Sequence, residues 1–359
     1  MYNITNKTVC SFRSPAEHAQ VLNVCVMVVL VIGITLGNVV SLAIFLGSKR
    51  LRTPQGYLKA SLALADLAVG VLVVPYSVHT EIQILSQGLE RVEAPSEEKR
   101  RFHPCDLMGP VFAGCTFVSI TTIFLMSVER SISVLKPLHK NVVVTKRRTL
   151  SLILFSWALC FFLAVAPLLF SRDITLQFNP CSRMCNYAFS SLGRRHPGWN
   201  VMLLFPAFDF SLLGGTFVIN LITFGAIRQV CKMRQKLAET GVRRISNRPS
   251  FSDIRAAKTI AILTLSFSAS FGPVAVFVVG SVLGYQWCDF SFYAFWILTS
   301  NSCWNVIIYS VRDQRFRRKT KELFFGKVLK GRRRPKATDE RHPGHCMAVI
   351  KEMLRPEYV

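Results

Sequence analysis

Seven stretches of this chain carry almost no side chain that seeks water. No Asp, Glu, Lys or Arg lies between Glu17 and Lys49, Asp106 and Glu129, Arg148 and Arg172, Lys258 and Asp289, or Asp289 and Arg312. The stretch from Lys59 to Glu81 holds only Asp66, and that from Arg195 to Arg228 only Asp209. Each is at least as long as the roughly 20 apolar residues a helix needs to cross hydrocarbon. Hydrocarbon offers nothing to a bare peptide group, so such segments must close their own hydrogen bonds as helices. The short alternating segments of a membrane barrel are absent. The predicted fold is all-α, a seven-transmembrane helix bundle. Residues Met1 to Cys10 are polar, and the first apolar run outlasts the core of a secretory leader. That run is expected to act as an uncleaved signal anchor.

Composition agrees once charge is given a location. The chain has 359 residues, 51% hydrophobic and 18% charged, with a net charge of +24 and a mean hydropathy of +0.35. A soluble domain is about a quarter charged. A chain this basic would otherwise point to nucleic acid, but Lys and Arg fall on one set of loops. With the N-terminus outside, the inner loops and tail hold 34 basic residues and the outer segments 10. That bias predicts an extracellular N-terminus and a cytoplasmic C-terminus. Two glycosylation sequons, at Asn3 and Asn6, fall on the outer side. The expected organisation is an outer N-terminus (1–20), the seven-helix domain (21–311), a short amphipathic helix (312–325) and a basic cytoplasmic tail (326–359). In 312–325, Phe316, Leu323 and Phe324 share a face among Arg and Lys, so this helix should lie on anionic inner-leaflet lipid. No Cys or His spacing resembles a zinc site.

Nearly every helix carries a landmark, in order. These are Gly37-Asn38-Val39-Val40, Leu62 through Asp66, Cys105 followed by Glu129-Arg130-Ser131, Trp157, Phe271-Gly272-Pro273, and Asn305-Val306-Ile307-Ile308-Tyr309. Over residues 20–325 the chain resembles the rhodopsin-like (class A) G-protein-coupled receptors. It departs from their pattern at Ser131, at Phe271 where tryptophan is usual, at Val306 where proline is usual, and at Thr216 where helix 5 usually has proline. Leu51-Arg52-Thr53-Pro54, Pro75-Tyr76 and Trp296 are most similar to the biogenic-amine branch. Phe112, however, replaces the aspartate that pairs with amines. Thr299 stands where an opsin has its retinal lysine.

The resemblance implies a plasma-membrane receptor, not an enzyme, that activates heterotrimeric G proteins on an unidentified, non-amine ligand or with basal activity. It implies a switch of Glu129, Arg130, Asp253, Phe224 and Tyr309. Asp253 also suits a helix cap. Asp66, Ser119, Asn301 and Asn305 would converge on a sodium ion, or else a protonated Asp66 would sit in a water network. No other cofactor is implied. The ligand pocket would comprise Phe112, Ala113, Thr116, Phe208, Asp209, Phe271, Val274, Val278, Phe295 and Trp296. The apolar members suit a hydrophobic ligand or a self-filled core, and Asp209 suits either a polar ligand group or a water-exposed, capped carboxylate. Cys105 would pair with Cys185 or Cys181, leaving the other for Cys10 or Cys288. Valine at 306 keeps its N–H, so helix 7 should lose the usual kink.

Further signals are regulatory. Ser246 follows Arg243-Arg244 as a kinase candidate. Arrestin is a candidate partner, although the tail after Gly326 holds only Thr338 and Tyr358 as hydroxyls. The terminal Val359 could add to a PDZ sheet edge. Two alternatives remain at this level: a weakly coupling constitutive or decoy receptor, and a transporter or channel.

Overall fold

The computed structural model describes residues 17–49, 51–87, 103–136, 140–171, 174–189, 203–239 and 251–325, except 284 and 286. Its helices are α1 (Glu17–Gly47), α2 (Pro54–Ala68), α3 (Val74–Gln87), α4 (Cys105–Leu135), the single turn α5 (Lys140–Val143), α6 (Lys146–Phe170), α7 (Leu204–Glu239), α8 (Phe251–Val282), α9 (Cys288–Arg312) and α10 (Gln314–Phe325). A π-helical turn, Val69–Val73, joins α2 to α3 into one span. Six spans are long and apolar enough to cross a membrane: α1, α2 with α3, α4, α6, α7 and α8. The seventh, α9, has 25 residues and is about 37 Å long at 1.5 Å per residue. Its Ser291, Thr299, Asn301, Ser302 and Asn305 lower its hydropathy, and all five are buried in the bundle. The expected seven-helix bundle is therefore the observed one.

The bundle is dressed for lipid. Large apolar side chains such as Leu154, Phe155, Phe170 and Leu221 face outward, while Asn38, Asp66, Ser119, Thr216 and Asn305 are enclosed. Buried hydroxyls turn back onto their own helices. Ser127 donates to the Ile123 carbonyl at 3.1 Å, Thr216 to Leu212 at 2.7 Å and Thr299 to Phe295 at 2.8 Å, the usual local solution for Ser and Thr in a helix. Other side chains tie helices together. Asn38 Nδ2 donates to the Ile34 and Ser302 carbonyls at 2.9 and 3.0 Å, and Trp157 Nε1 donates to Ser61 Oγ at 2.9 Å. Helix α4 is central: 67% of its most apolar stretch is buried, against 22% for α7.

Local chemistry sets the ends and bends. Thr53 caps α2, its Oγ1 accepting from the Gly56 amide at 3.1 Å, with Pro54 in the first turn; both are favoured there. Pro75 cannot donate to residue 71, and its ring would press on that carbonyl. The widened π turn lies just ahead of it, a usual site for such a bulge. Helix α9 runs unbroken through Val306.

Among the described residues a β-hairpin accompanies the helices. Strands β1 (Ile174–Asn179) and β2 (Met184–Phe189) pair antiparallel with Asn179 opposite Met184. Asn179 Oδ1 accepts from the Cys181 amide at 2.8 Å, and the Arg183 amide donates to the Asn179 carbonyl at 2.8 Å. Arg183 has φ 58°, a left-handed conformation uncommon for a side-chain-bearing residue. The expectation of an all-α chain overlooked this hairpin.

Candidate functional site

The hairpin closes one end of the bundle. Cys185 is bonded to Cys105 at the start of α4, and Cys181 to Cys288 at the start of α9. Its tip is not on the surface: Ser182 is 0% exposed, Arg183 3% and Met184 1%. Trp296 Nε1 donates to the Ser182 carbonyl at 3.2 Å. Arg183 Nε lies 3.2 Å from Glu81 Oε2 on α3, and both side chains are buried. Removing two charges from water is costly, and close pairing offsets that cost only in part. Tyr187 donates to the Ala164 carbonyl at 2.7 Å; burial raises its phenol well above the ordinary value, so it stays a donor.

Beneath the hairpin, most residues expected to line a ligand pocket pack on one another. Phe112 and Phe295 rings are 6.2 Å apart, and Phe267 stacks on Phe271 at 6.0 Å. Phe208 meets Phe117 at 5.2 Å. Val274 and Trp296 are buried, and Ala113 and Val278 pack against the same core. Asp209 is buried, not water-exposed. It stands on α7, and its buried Oδ1 has no hydrogen-bond partner among the described residues. It does not line the central cavity; among the residues expected in the pocket, only Phe112 and Thr116 do.

That cavity reaches down to Asp66, Ser119, Asn301 and Ser302. It leaves about 20 Å³ for the centre of a small guest, where one water needs ~10–15 Å³. Asn305 Nδ2 donates to Asp66 Oδ2 at 2.7 Å, and Ser302 lines the same cavity. Ser302 was not anticipated, although it lies beside Asn301 and three residues before Asn305. One carboxylate among neutral oxygens suits a small hard cation and suits a water equally well. Among the described residues no group of three or more His, Cys, Asp or Glu could hold a metal.

At the opposite end, Arg130 Nη2 donates to Gln55 Oε1 on α2, and its Nε lies 3.6 Å from Glu129 Oε2. Ser133 Oγ donates to Glu129 Oε1 at 3.2 Å. Tyr309 is buried between Phe45 of α1 and Phe316 of α10, with ring centroids 5.6 and 6.0 Å away. Phe224 is half-buried on α7. Asp253 stands in the first turn of α8, but its side chain lies outside the described residues, as do Asn3, Asn6, Cys10, Ser246 and Val359.

Lys59, taken from sequence as the boundary of a charge-poor stretch, lies inside the bundle. Lys59 is 9% exposed inside α2, its Nζ 2.8 Å from Asp313 Oδ2. Its position two turns before Asp66, on the same helical face, is the signal that could have revealed it.

Seven apolar helices around a buried carboxylate, with an arginine-bearing helix end opposite a disulfide-anchored hairpin, define a membrane receptor rather than an enzyme. The model of the 7 transmembrane receptor (rhodopsin family) matches residues 37–309, and the chain belongs to that family. The transporter or channel alternative falls with this result. Melanopsin from Podarcis siculus is 28% identical over 305 residues, covering 82% of this chain and 59% of its own length. The chain thus spans less than two thirds of that relative. Trace amine-associated receptor 4 from Mus musculus is 24% identical over 92% of this chain and 93% of its own. Adenosine receptor A2b from Bos taurus is 24% identical over 78% and 82%. Relatives this varied support the receptor class and only loosely the amine branch. The crystal structure of squid rhodopsin matches with a TM-score of 0.67 over 95% of this chain and 93% of that one, at 18% identity, a likeness of fold.

Proposed function

We propose that this chain is a plasma-membrane receptor that activates heterotrimeric G proteins from the end bearing Arg130, with the hairpin end outside. The observation that carries this reading is the tethered Arg130 at the foot of α4, held by Gln55 and Glu129 while Tyr309 is packed away against α1 and α10. These contacts describe a closed state that a shift of α8 would open. The skew of basic residues toward that end supports the orientation. In this reading the N-terminus is glycosylated at Asn3 and Asn6, residues 21–311 form the receptor domain, α10 and the 326–359 tail rest on anionic lipid, Ser246 takes phosphate, and arrestin and a PDZ protein at Val359 are secondary partners.

The ligand is not an amine, because Phe112 supplies no anion. The aromatic side chains beneath the hairpin suit an apolar ligand. The hairpin tip against Trp296 and Glu81 favours a second reading, basal activity without any ligand. Asp66, Ser119, Asn301 and Asn305 would hold a sodium ion between states. The test is nucleotide exchange on purified heterotrimers of each subfamily, with and without a broad ligand panel. Stimulation that disappears in Arg130→Ala supports the reading. No exchange in any arm would leave the weakly coupling decoy receptor in its place.

A further inference from the structure

Lys59 and Asp313 meet where four helices converge. Asp313 is the single residue between α9 and α10. Its Oδ1 accepts from the Arg315 and Phe316 amides at 3.0 and 3.2 Å, which fixes the carboxylate as the cap of α10. Its Oδ2 takes the Lys59 ammonium at 2.8 Å. The same ammonium lies over the rings of Tyr309 and Phe45, 4.8 and 5.4 Å from their centroids, within cation–π range. A lysine buried in a membrane helix is costly and therefore rarely incidental. Gln55, which takes the Arg130 guanidinium, stands four residues before Lys59 on α2, so the latch and the arginine contact share one helix face.

We propose that Lys59 and Asp313 form a latch that parks the Tyr309 ring against α1 and α10, and that opening it frees this end of the bundle for its partner. Lys59 is a positioning residue: it acts through Tyr309. The inference rests on the coupling reading above for its consequence, but not for its geometry. Releasing the ammonium removes the cation from the Tyr309 ring and the charge from the α9–α10 junction in one step. The ring then loses one wall of its site, and α10 loses its tie to α2.

The test uses the full chain in nanodiscs with 3-fluorotyrosine at Tyr309, read by fluorine NMR, beside basal nucleotide exchange. Asp313→Asn keeps an oxygen to cap α10 and removes only the charge, so it preserves the fold. Lys59→Met removes the cation, and Lys59→Arg retains one. Wild type and Lys59→Arg should show one main resonance; Asp313→Asn and Lys59→Met should add a second. Basal exchange should rise about fivefold in the latter two, the lower end of usual coupling between sites. A wild-type spectrum in both charge-removing variants overturns the latch. A changed spectrum with unchanged exchange upholds the latch and instead refutes coupling through this end.

Discussion

Lys59 and Glu81 bound the same charge-poor stretch, and each is buried against a basic or acidic partner far away in the chain. Reading charges as the ends of a span treats them as water-seeking, so it misses those that turn inward. Asp66 and Asn305 were legible because their motif positions pointed to each other, and the amide reaches the carboxylate at 2.7 Å. Asp313 lies outside the spans, and its titration has a definite sign. Burial pushes its carboxyl up, but the Lys59 charge and hydrogen bonds from Lys59, Phe316 and Arg315 outweigh burial and hold it below the ordinary 3.8. A depressed carboxyl stabilises the fold above its unfolded value and loses that contribution as pH falls through the folded one. The melting-temperature gap between wild type and Asp313→Asn should therefore stay constant between about pH 5 and pH 7 and narrow only below about pH 4. Close packing gives a second expectation. A Cβ on Gly70 would lie 2.6 Å from Ile34 Cγ2, whereas one on Gly214 would meet nothing within 4 Å. Gly70→Ala should destabilise by about 1–3 kcal/mol, as overpacked cores do, with Gly214→Ala as a near-neutral control in the same thermal assay.

At the scale of elements, the spans were legible because a helix in lipid advertises itself by twenty or more residues without charge. Even α9 could be found that way, although its inward polar face makes it too hydrophilic for a hydropathy criterion alone. The hairpin was not legible. Its strands have six residues each, too short for alternation to stand out, and its register follows contacts made far away in sequence. Those contacts include both disulfides, which close 80 and 107 residues. The second of these pairs Cys181 with Cys288 and pins the tip between α4 and α9. Replacing both with serine should cost about 2–4 kcal/mol of stability, as loss of a long-loop crosslink usually does, measured as a lower melting temperature in non-reducing buffer. The same variant should shift basal exchange away from wild type if the buried tip sets the state of the bundle. Unchanged exchange at reduced stability would assign the hairpin a structural role only.

At the scale of the molecule, the net charge of +24 reads as an asymmetry between ends rather than affinity for nucleic acid. The proposed outer end carries a covalently anchored plug over an aromatic interior. The proposed inner end carries the arginine, the parked tyrosine and the Lys59–Asp313 pair. Between them lies a small cavity at Asp66. Family and fold were both readable from motifs at fixed positions along apolar helices. The state of the switch was not, because it depends on which side chain meets which across the bundle. Activation of G proteins from the Arg130 end is read by G-protein dissociation in cells, without ligand and with a broad ligand panel. The comparison is wild type, Lys59→Met and Arg130→Ala at matched surface levels, across all subfamilies. Wild type should dissociate at least one subfamily, Lys59→Met more strongly, and Arg130→Ala none. Equal signals from all three in every subfamily would contradict activation from the Arg130 end.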